Sequence, residues 1–315
     1  MEYLLLVLGF VLLIKGADFF VEGSSSIAKL LRIPSVIIGL TIVAFGTSAP
    51  ELAVSISAAM SGSNDIAVGN VIGSNIFNLM MVVGICGIVM PMPINKGILH
   101  GDYQFSVLVA LVMLLLFAFD KRLSRIDGLI LLGFFAYFLY MMVRNTMASR
   151  AAGGEEEDDI KVMNPLLSAV CIGGGLVAIV IGGDLVVDNA CIIAASFGLS
   201  ETLIGLTVVA FGTSLPELVT SVVASKKGEN GLALGNVIGS NIFNILFVLA
   251  ASAAISPMAV DALSVIDALV LIVFSILVWF MAKERYEISR KEGVIMVVLY
   301  LIYTVYIILN SYIVR

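Results

Sequence analysis

A chain of 315 residues that is 60% hydrophobic and 13% charged, with a net charge of −6 and a mean hydropathy of +1.12, lacks the surface of a soluble domain, which carries roughly a quarter charged residues. The apolar excess runs through the whole length, so no separate soluble domain is present, and an acidic balance without a basic stripe excludes a nucleic-acid partner. Cys86, Cys171 and Cys191 sit singly in apolar runs, without CxxC spacing, and read as small buried thiols rather than a disulfide or zinc site.

A helix needs about 20 apolar residues to cross the hydrocarbon core. The first such stretch, near 1–21, has no basic n-region and no cleavage site, which predicts a spanning helix rather than a removed signal. Four more follow near 35–60, 65–90, 102–119 and 126–147. A polar linker occupies 148–163, where Gly153-Gly154 precedes the acidic run Glu155–Asp159. That run lacks EF-hand spacing and reads as a solvated cytoplasmic tether. Five further stretches lie near 164–187, 201–225, 231–256, 264–282 and 292–312. The runs are continuous rather than alternating, which excludes a β-barrel. The expected fold is an all-α membrane protein with ten transmembrane helices. Ten is even, so both termini share a side. With both outside, twelve Lys and Arg (Lys29, Arg32, Lys96, Arg144, Arg150, Lys161, Lys226, Lys227, Lys283, Arg285, Arg290, Lys291) fall in cytoplasmic loops, against four outside (Lys121, Arg122, Arg125, Arg315). That bias favours extracellular termini.

The chain repeats itself. Shifting it by 166 residues (Gly212 minus Gly46) aligns 39–80 with 205–246 without a gap, and 27 of those 42 positions are identical. Upstream, Asp18 and Glu22 then face Asp184 and Asp188; these acids are expected near the ends of spans one and six, solvated or interfacial. The domains are a first five-helix repeat at 1–147, the acidic linker at 148–163, and a second repeat at 164–315. Five is odd, so the second unit enters the bilayer upside down, giving two inverted five-helix repeats with the site near the midplane.

Within span two, Gly46-Thr47-Ser48-Ala49-Pro50-Glu51 combines a break with a charge. Pro50 has no N–H for the Gly46 carbonyl, and a freed carbonyl at membrane depth must be received by protein or a wet cavity. Glu51 brings a carboxylate to the same depth with no Lys, Arg or His in its span. The second copy repeats this with Gly212, Thr213, Ser214, Pro216 and Glu217. Two carboxylates among hydroxyls, amides and carbonyls make an oxygen-only environment suited to a hard cation such as Ca²⁺. The one histidine, His100, is expected in a loop. Span three carries Asn70, Ser74 and Asn78 at four-residue spacing, mirrored by Asn236, Ser240 and Asn244, so each set lines one helical face. Asn70 and Asn236 fit equally as ligands or as links between helices. Asn75 and Asn241 lie off the stripe and are expected to fix local helix contacts. A single Glu could instead be protonated and structural; its repetition in a second copy, beside a second kink and amide stripe, argues against that.

GTSAPE and GTSLPE, each followed by GNVIGSNIFN, resemble the two alpha repeats of the sodium/calcium exchanger branch of the cation/calcium exchanger superfamily, and the five-plus-five layout extends that resemblance over the whole chain. The resemblance implies one Ca²⁺ site and several Na⁺ sites loaded alternately. Glu51 and Glu217 would be carboxylate ligands shared by both ions, and Thr47 and Thr213 would give carbonyls to Ca²⁺. Ser48, Ser74 and the Ala44 carbonyl would hold Na⁺, mirrored by Ser214, Ser240 and the Ala210 carbonyl, with Asn78 and Asn244 at the centre. Spans one and six would be long helices that slide to switch access. Some members, the potassium-dependent ones among them, carry Asp where this chain has Asn244, which favours a potassium-independent exchanger. The large cytosolic calcium-sensing insert of animal exchangers is absent from the sequence between the repeats.

The expected function is Na⁺/Ca²⁺ antiport by alternating access, with H⁺/Ca²⁺ or K⁺-dependent Na⁺/Ca²⁺ antiport as the alternative. An enzyme using Ser48 or Ser214 would need a base that neither motif supplies, and a channel gains nothing from inverted carboxylate kinks. No cofactor is expected beyond the transported Ca²⁺ and Na⁺, nor an obligate protein partner, and the bilayer of the plasma membrane is the expected setting.

Overall fold

The structure, a computed structural model, describes residues 1–151, 162–198 and 210–313. Most of the acidic linker and the first part of the expected 201–225 span lie outside the described residues. In chain order the helices are α1 (Glu2–Leu31), the bent pair α2 (Ser35–Thr47) and α3 (Ala49–Met60), α4 (Asn64–Val89), α5 (Ile98–Phe119), α6 (Arg125–Met147) and α7 (Pro165–Ser196). After a short turn at Ala210–Gly212 come α8 (Leu215–Lys226), α9 (Asn230–Ile255), α10 (Ala262–Arg285) and α11 (Arg290–Leu309). Among the described residues, eight single helices are long and apolar enough to span a membrane, and the α2–α3 pair makes a ninth candidate. His100 belongs to the first turn of α5 rather than to a loop, because the helix starts at Ile98.

Centre and periphery separate by burial. In α4 and α9 the apolar stretch is 78% buried inside the protein, against 22–33% in the other single helices. The outer helices turn Leu4, Val7, Leu129, Val273, Phe280 and Ile302 outward, an apolar surface that only lipid would cover.

Helices α1 and α7 contain 30 and 32 residues, about 45 Å at 1.5 Å per residue. That exceeds the ~30 Å core, so they cross it tilted. Because they run on to Leu31 and Ser196, the acids Asp18, Glu22, Asp184 and Asp188 fall inside the helices, not near their ends. The two pack antiparallel along a glycine seam. A Cβ on Gly9 would come within 2.9 Å of the Gly182 carbonyl, and one on Gly16 within 2.8 Å of the Gly175 carbonyl. Across the centre, Gly235 and Gly239 bring α9 against the backbone of α2, where a Cβ would meet the Val36 carbonyl at 2.5 Å and the Leu40 carbonyl at 2.7 Å.

Short strands tie the ends of the two halves. β1 (Met92–Pro93) pairs antiparallel with β4 (Glu287–Ile288), and β2 (Arg122–Leu123) with β3 (Met258–Ala259). Helix starts are capped in matching fashion. Ser124 and Asp127 form a reciprocal box before α6, with N–H to carboxylate at 2.8 Å, and Ser289 with Glu292 repeats it before α11 at 2.7 Å.

Candidate cation-binding site

The bend between α2 and α3 is 48°, and it falls at Ser48, whose backbone (φ −85°, ψ 11°) leaves the helical region. Pro50 then sits in the first turn of α3, where its missing N–H is tolerated and the Gly46 carbonyl stays without an intrahelical donor. Ser214 has the same backbone (φ −95°, ψ 8°) before Pro216 in α8. The breaks place Glu51 and Glu217 one turn into new helices, and both are fully buried. Burying an unpaired carboxylate at membrane depth costs on the order of 3 kcal/mol, so what surrounds them matters.

Each carboxylate is held by the other copy. Ser48 donates to Glu217 Oε1 at 2.8 Å, and Ser214 donates to Glu51 Oε1 at 3.0 Å. Ser74 and Ser240 donate within their own copies, to Glu51 and Glu217, both at 3.5 Å. The second oxygens, Glu51 Oε2 and Glu217 Oε2, are buried and receive no hydrogen bond. The same holds for Asn78 Oδ1 and Asn244 Oδ1, whose amide nitrogens donate to Asn241 Oδ1 at 3.3 Å and Asn75 Oδ1 at 3.2 Å. Four acceptor oxygens therefore lie buried without a donor in a region with no cationic side chain bonded to them. A protein interior rarely leaves such groups unpaired.

Asn70 and Asn236 take the linking role. Each donates to the glutamate's backbone carbonyl (3.1 and 3.4 Å) and to a serine one turn on, Ser55 at 2.8 Å and Ser221 at 2.9 Å. Asn75 and Asn241 do more than fix local contacts: each donates to the other's backbone carbonyl, at 3.1 and 3.2 Å, and so joins α4 to α9 across the centre. Sequence reasoning missed this cross-link, as well as Ser55 and Ser221. The signal was present in that the four form two pairs, Asn75 with Asn241 and Ser55 with Ser221, at the 166-residue offset.

The expected site residues Glu51, Ser48, Ser74, Asn78, Glu217, Ser214, Ser240 and Asn244 are thus brought into one hydrogen-bonded region. The Thr47 hydroxyl lies 3.0 Å from Asn236 Oδ1 and 3.1 Å from the Val43 carbonyl. The Ala44 carbonyl accepts the Ser48 N–H at 3.0 Å and lies 3.4 Å from the Thr47 hydroxyl. The Thr213 hydroxyl is buried without a partner among the described residues, and Ala210 opens the described part of the second copy. Among the described residues no three His, Cys, Asp or Glu side chains gather, so any ion here relies on two carboxylates supplemented by neutral oxygens.

Residues 1–144 and 167–309 match the sodium/calcium exchanger protein family. The chain belongs to that family. It is accordingly a multi-pass membrane antiporter of the Ca²⁺:cation class and not an enzyme. Similar proteins include the sodium/calcium exchanger MaX1 of Methanosarcina acetivorans, 34% identical over 96% of this chain and 97% of that protein. The inner membrane protein YrbG of Escherichia coli is 35% identical over 93% of this chain and 92% of its own length. A solved structure of the sodium-calcium exchanger NCX_Mj soaked with Na⁺ and Ca²⁺ superposes with a TM-score of 0.83 at 34% identity, covering 96% of each chain. The family member described here therefore shares its helical architecture with a sodium-calcium exchanger along nearly its full length.

Proposed function

We propose that this chain is a Na⁺/Ca²⁺ antiporter that works by alternating access at a midplane site built from both repeats. The observation that carries the reading is the set of four buried, donor-less oxygens, Glu51 Oε2, Glu217 Oε2, Asn78 Oδ1 and Asn244 Oδ1. In this reading Glu51 and Glu217 bind Ca²⁺ together with the carbonyls of Thr47 and Thr213. Na⁺ takes Ser48, Ser74 and the Ala44 carbonyl in one pocket, and Ser214, Ser240 and the Ala210 carbonyl in the other. Asn78 and Asn244 stand between them. Ser48 and Ser214 give their hydrogens to the opposite carboxylates, so their oxygen lone pairs stay open to a cation. Because both ions draw on the same two acids, full loading by one excludes the other. An empty site would bury two unneutralised carboxylates, which opposes switching without cargo.

The ten-span inverted layout is supported by parity. β1 and β4 meet at one end of the molecule, so the chain between them makes an even number of crossings. The described helices there that are long enough to span are α5, α6, α7, α9 and α10, five in all; a sixth crossing through 201–225, to which α8 belongs, restores the balance. The pairing of β2 with β3 leads to the same conclusion. Equivalent helices that run antiparallel, α1 against α7, support the inversion. The distribution of Lys and Arg supports both termini outside, and the plasma membrane is the proposed setting.

Radiolabelled Ca²⁺ uptake into Na⁺-loaded proteoliposomes, beside K⁺-loaded and pH-jump controls, tests the coupling. Uptake driven by outward Na⁺ alone is expected. Uptake that follows only the pH jump would replace Na⁺ with H⁺ as the coupling ion, and an absolute need for K⁺ would point to potassium-dependent exchange.

A further inference from the structure

The two copies are nearly equivalent in sequence, so places where they differ in surroundings are informative. Along α3 an open groove is lined by Leu52, Ala53, Ile56, Ser57, Met60 and Ser61. The equivalent face of α8 is covered: α1 packs along it, and Val219 and Val223 are partly buried where Ala53 and Ser57 are exposed. Of the equivalent helices α3 and α8, α8 is therefore the one that α1 covers. At that docked face Lys227, just beyond the end of α8, reaches into α1. Its Nζ lies 2.8 Å from Glu22 Oε1 and 3.3 Å from Asp18 Oδ1, and donates to the Asp18 backbone carbonyl at 3.2 Å. Lys15 adds a second ammonium 3.6 Å from Asp18.

The mirror of this cluster has its acids but not its bases. Asp184 and Asp188 stand at the positions of Asp18 and Glu22, whereas Ile181 replaces Lys15 and Ser61 replaces Lys227. Among the described residues Asp184 and Asp188 make no ion pair, and like charges four apart on a helix repel. If α7 were to cover α3 as α1 now covers α8, Asp184 and Asp188 would arrive at a serine.

We propose that Lys227, clamped by Asp18 and Glu22, is a one-sided latch that holds α1 over α8 and biases the exchanger toward the state open along α3. This rests on the alternating-access reading above. With both termini outside, the latched end faces the cytoplasm and the α3 groove faces out. The ion pair is half exposed, and such pairs shift an equilibrium by about two- to fivefold rather than fix it. Lys227 is thus a positioning residue that sets which side waits open, not an ion ligand.

The test places single reporter cysteines, Ser57→Cys in the groove and Val223→Cys at its covered mirror, in a background with Cys86, Cys171 and Cys191 replaced by Ala. Labelling rates with a charged maleimide are read in detergent under Na⁺, Ca²⁺ and neither ion. The parent is expected to label Ser57→Cys faster. Adding Lys227→Ser should lower the ratio of the two rates by about two- to fivefold, Glu22→Gln should move it the same way, and Lys227→Arg should restore it. Ser61→Lys, which gives Asp184 and Asp188 a base, should lower the ratio without touching Lys227, so the idea stays testable where Lys227→Ser does not fold. A parent whose rates respond to ions, combined with an unchanged ratio in Lys227→Ser or in Ser61→Lys, overturns the latch alone. If no ion condition alters either rate in the parent, the alternating-access reading fails first.

Discussion

Glu51 and Glu217 are fully buried carboxylates placed at the two helix breaks, and their geometry yields a clean substitution. Glu51→Gln keeps an oxygen for the Ser214 hydroxyl, at 3.0 Å in the native chain, while removing the charge that a divalent ion needs. Radiolabelled Ca²⁺ uptake in Glu51→Gln or Glu217→Gln is expected to fall by at least ~100-fold, since a lost charge–ion contact of ~3 kcal/mol corresponds to that factor. Monodisperse elution from a sizing column should remain, and retained transport in either variant would remove the shared-site mechanism. Ser48→Ala is milder. It deletes a 2.8 Å hydrogen bond to Glu217, worth about 1.5 kcal/mol for a charged acceptor, so the Na⁺ concentration for half-maximal exchange should rise roughly tenfold. The acids, hydroxyls and amide stripe were readable from residue type and spacing alone. The direction of Ser48 and Ser214, each toward the opposite copy's acid, was not, because it depends on how two distant helices are brought together.

Between elements, two features position these side chains. The first is the break at Ser48, which lets α3 begin with Pro50 in its first turn. Pro50→Ala returns an N–H that the Gly46 carbonyl can accept and so favours a continuous helix through the 48° bend. Exchange is expected to drop severalfold while the melting temperature in detergent stays level or rises; a fall in both would mean that Pro50 serves stability rather than site geometry. The second is the amide cross-link. Asn75→Ala removes the donor to the Asn241 carbonyl and the acceptor for Asn244. Each buried contact between membrane helices contributes about 0.6–1.7 kcal/mol, so Asn75→Ala should lower the melting temperature measurably and weaken Ca²⁺ affinity, because Asn244 is no longer oriented. Asn70→Ala, whose bonds stay within one copy, should leave the contact between copies intact and affect stability less. The kink was legible in the sequence because a proline acts locally. The cross-link was missed because Asn75 and Asn241 fall off the four-residue stripe, and only the crossing of α4 and α9 puts them face to face.

For the molecule as a whole, hydropathy gave nearly all helix positions and the 166-residue repeat gave their pairing, since span length and repetition are one-dimensional properties. What they could not supply was the covering of α8 by α1 while α3 stays open, because both copies offer almost the same face to be covered. Orientation lies between these cases and can be tested. The strand pairs put Lys96 and Arg290 near one end, close to β1 and β4, and Lys121 and Arg125 near the other, flanking β2. In the proposed orientation the basic excess puts the first end in the cytoplasm, and the cluster at Lys121, Arg122 and Arg125 is the local exception to that rule. Single cysteines at Lys96 and Lys121, in the background lacking native cysteines, decide the matter in intact cells. Lys121→Cys should react with a membrane-impermeant maleimide directly, and Lys96→Cys only after permeabilisation. The opposite pattern would turn the protein over, send the α3 groove to the cytoplasm and place the Lys227 latch outside. Reaction of both from one side would break the single crossing by α5 between β1 and β2 on which the ten-span layout depends.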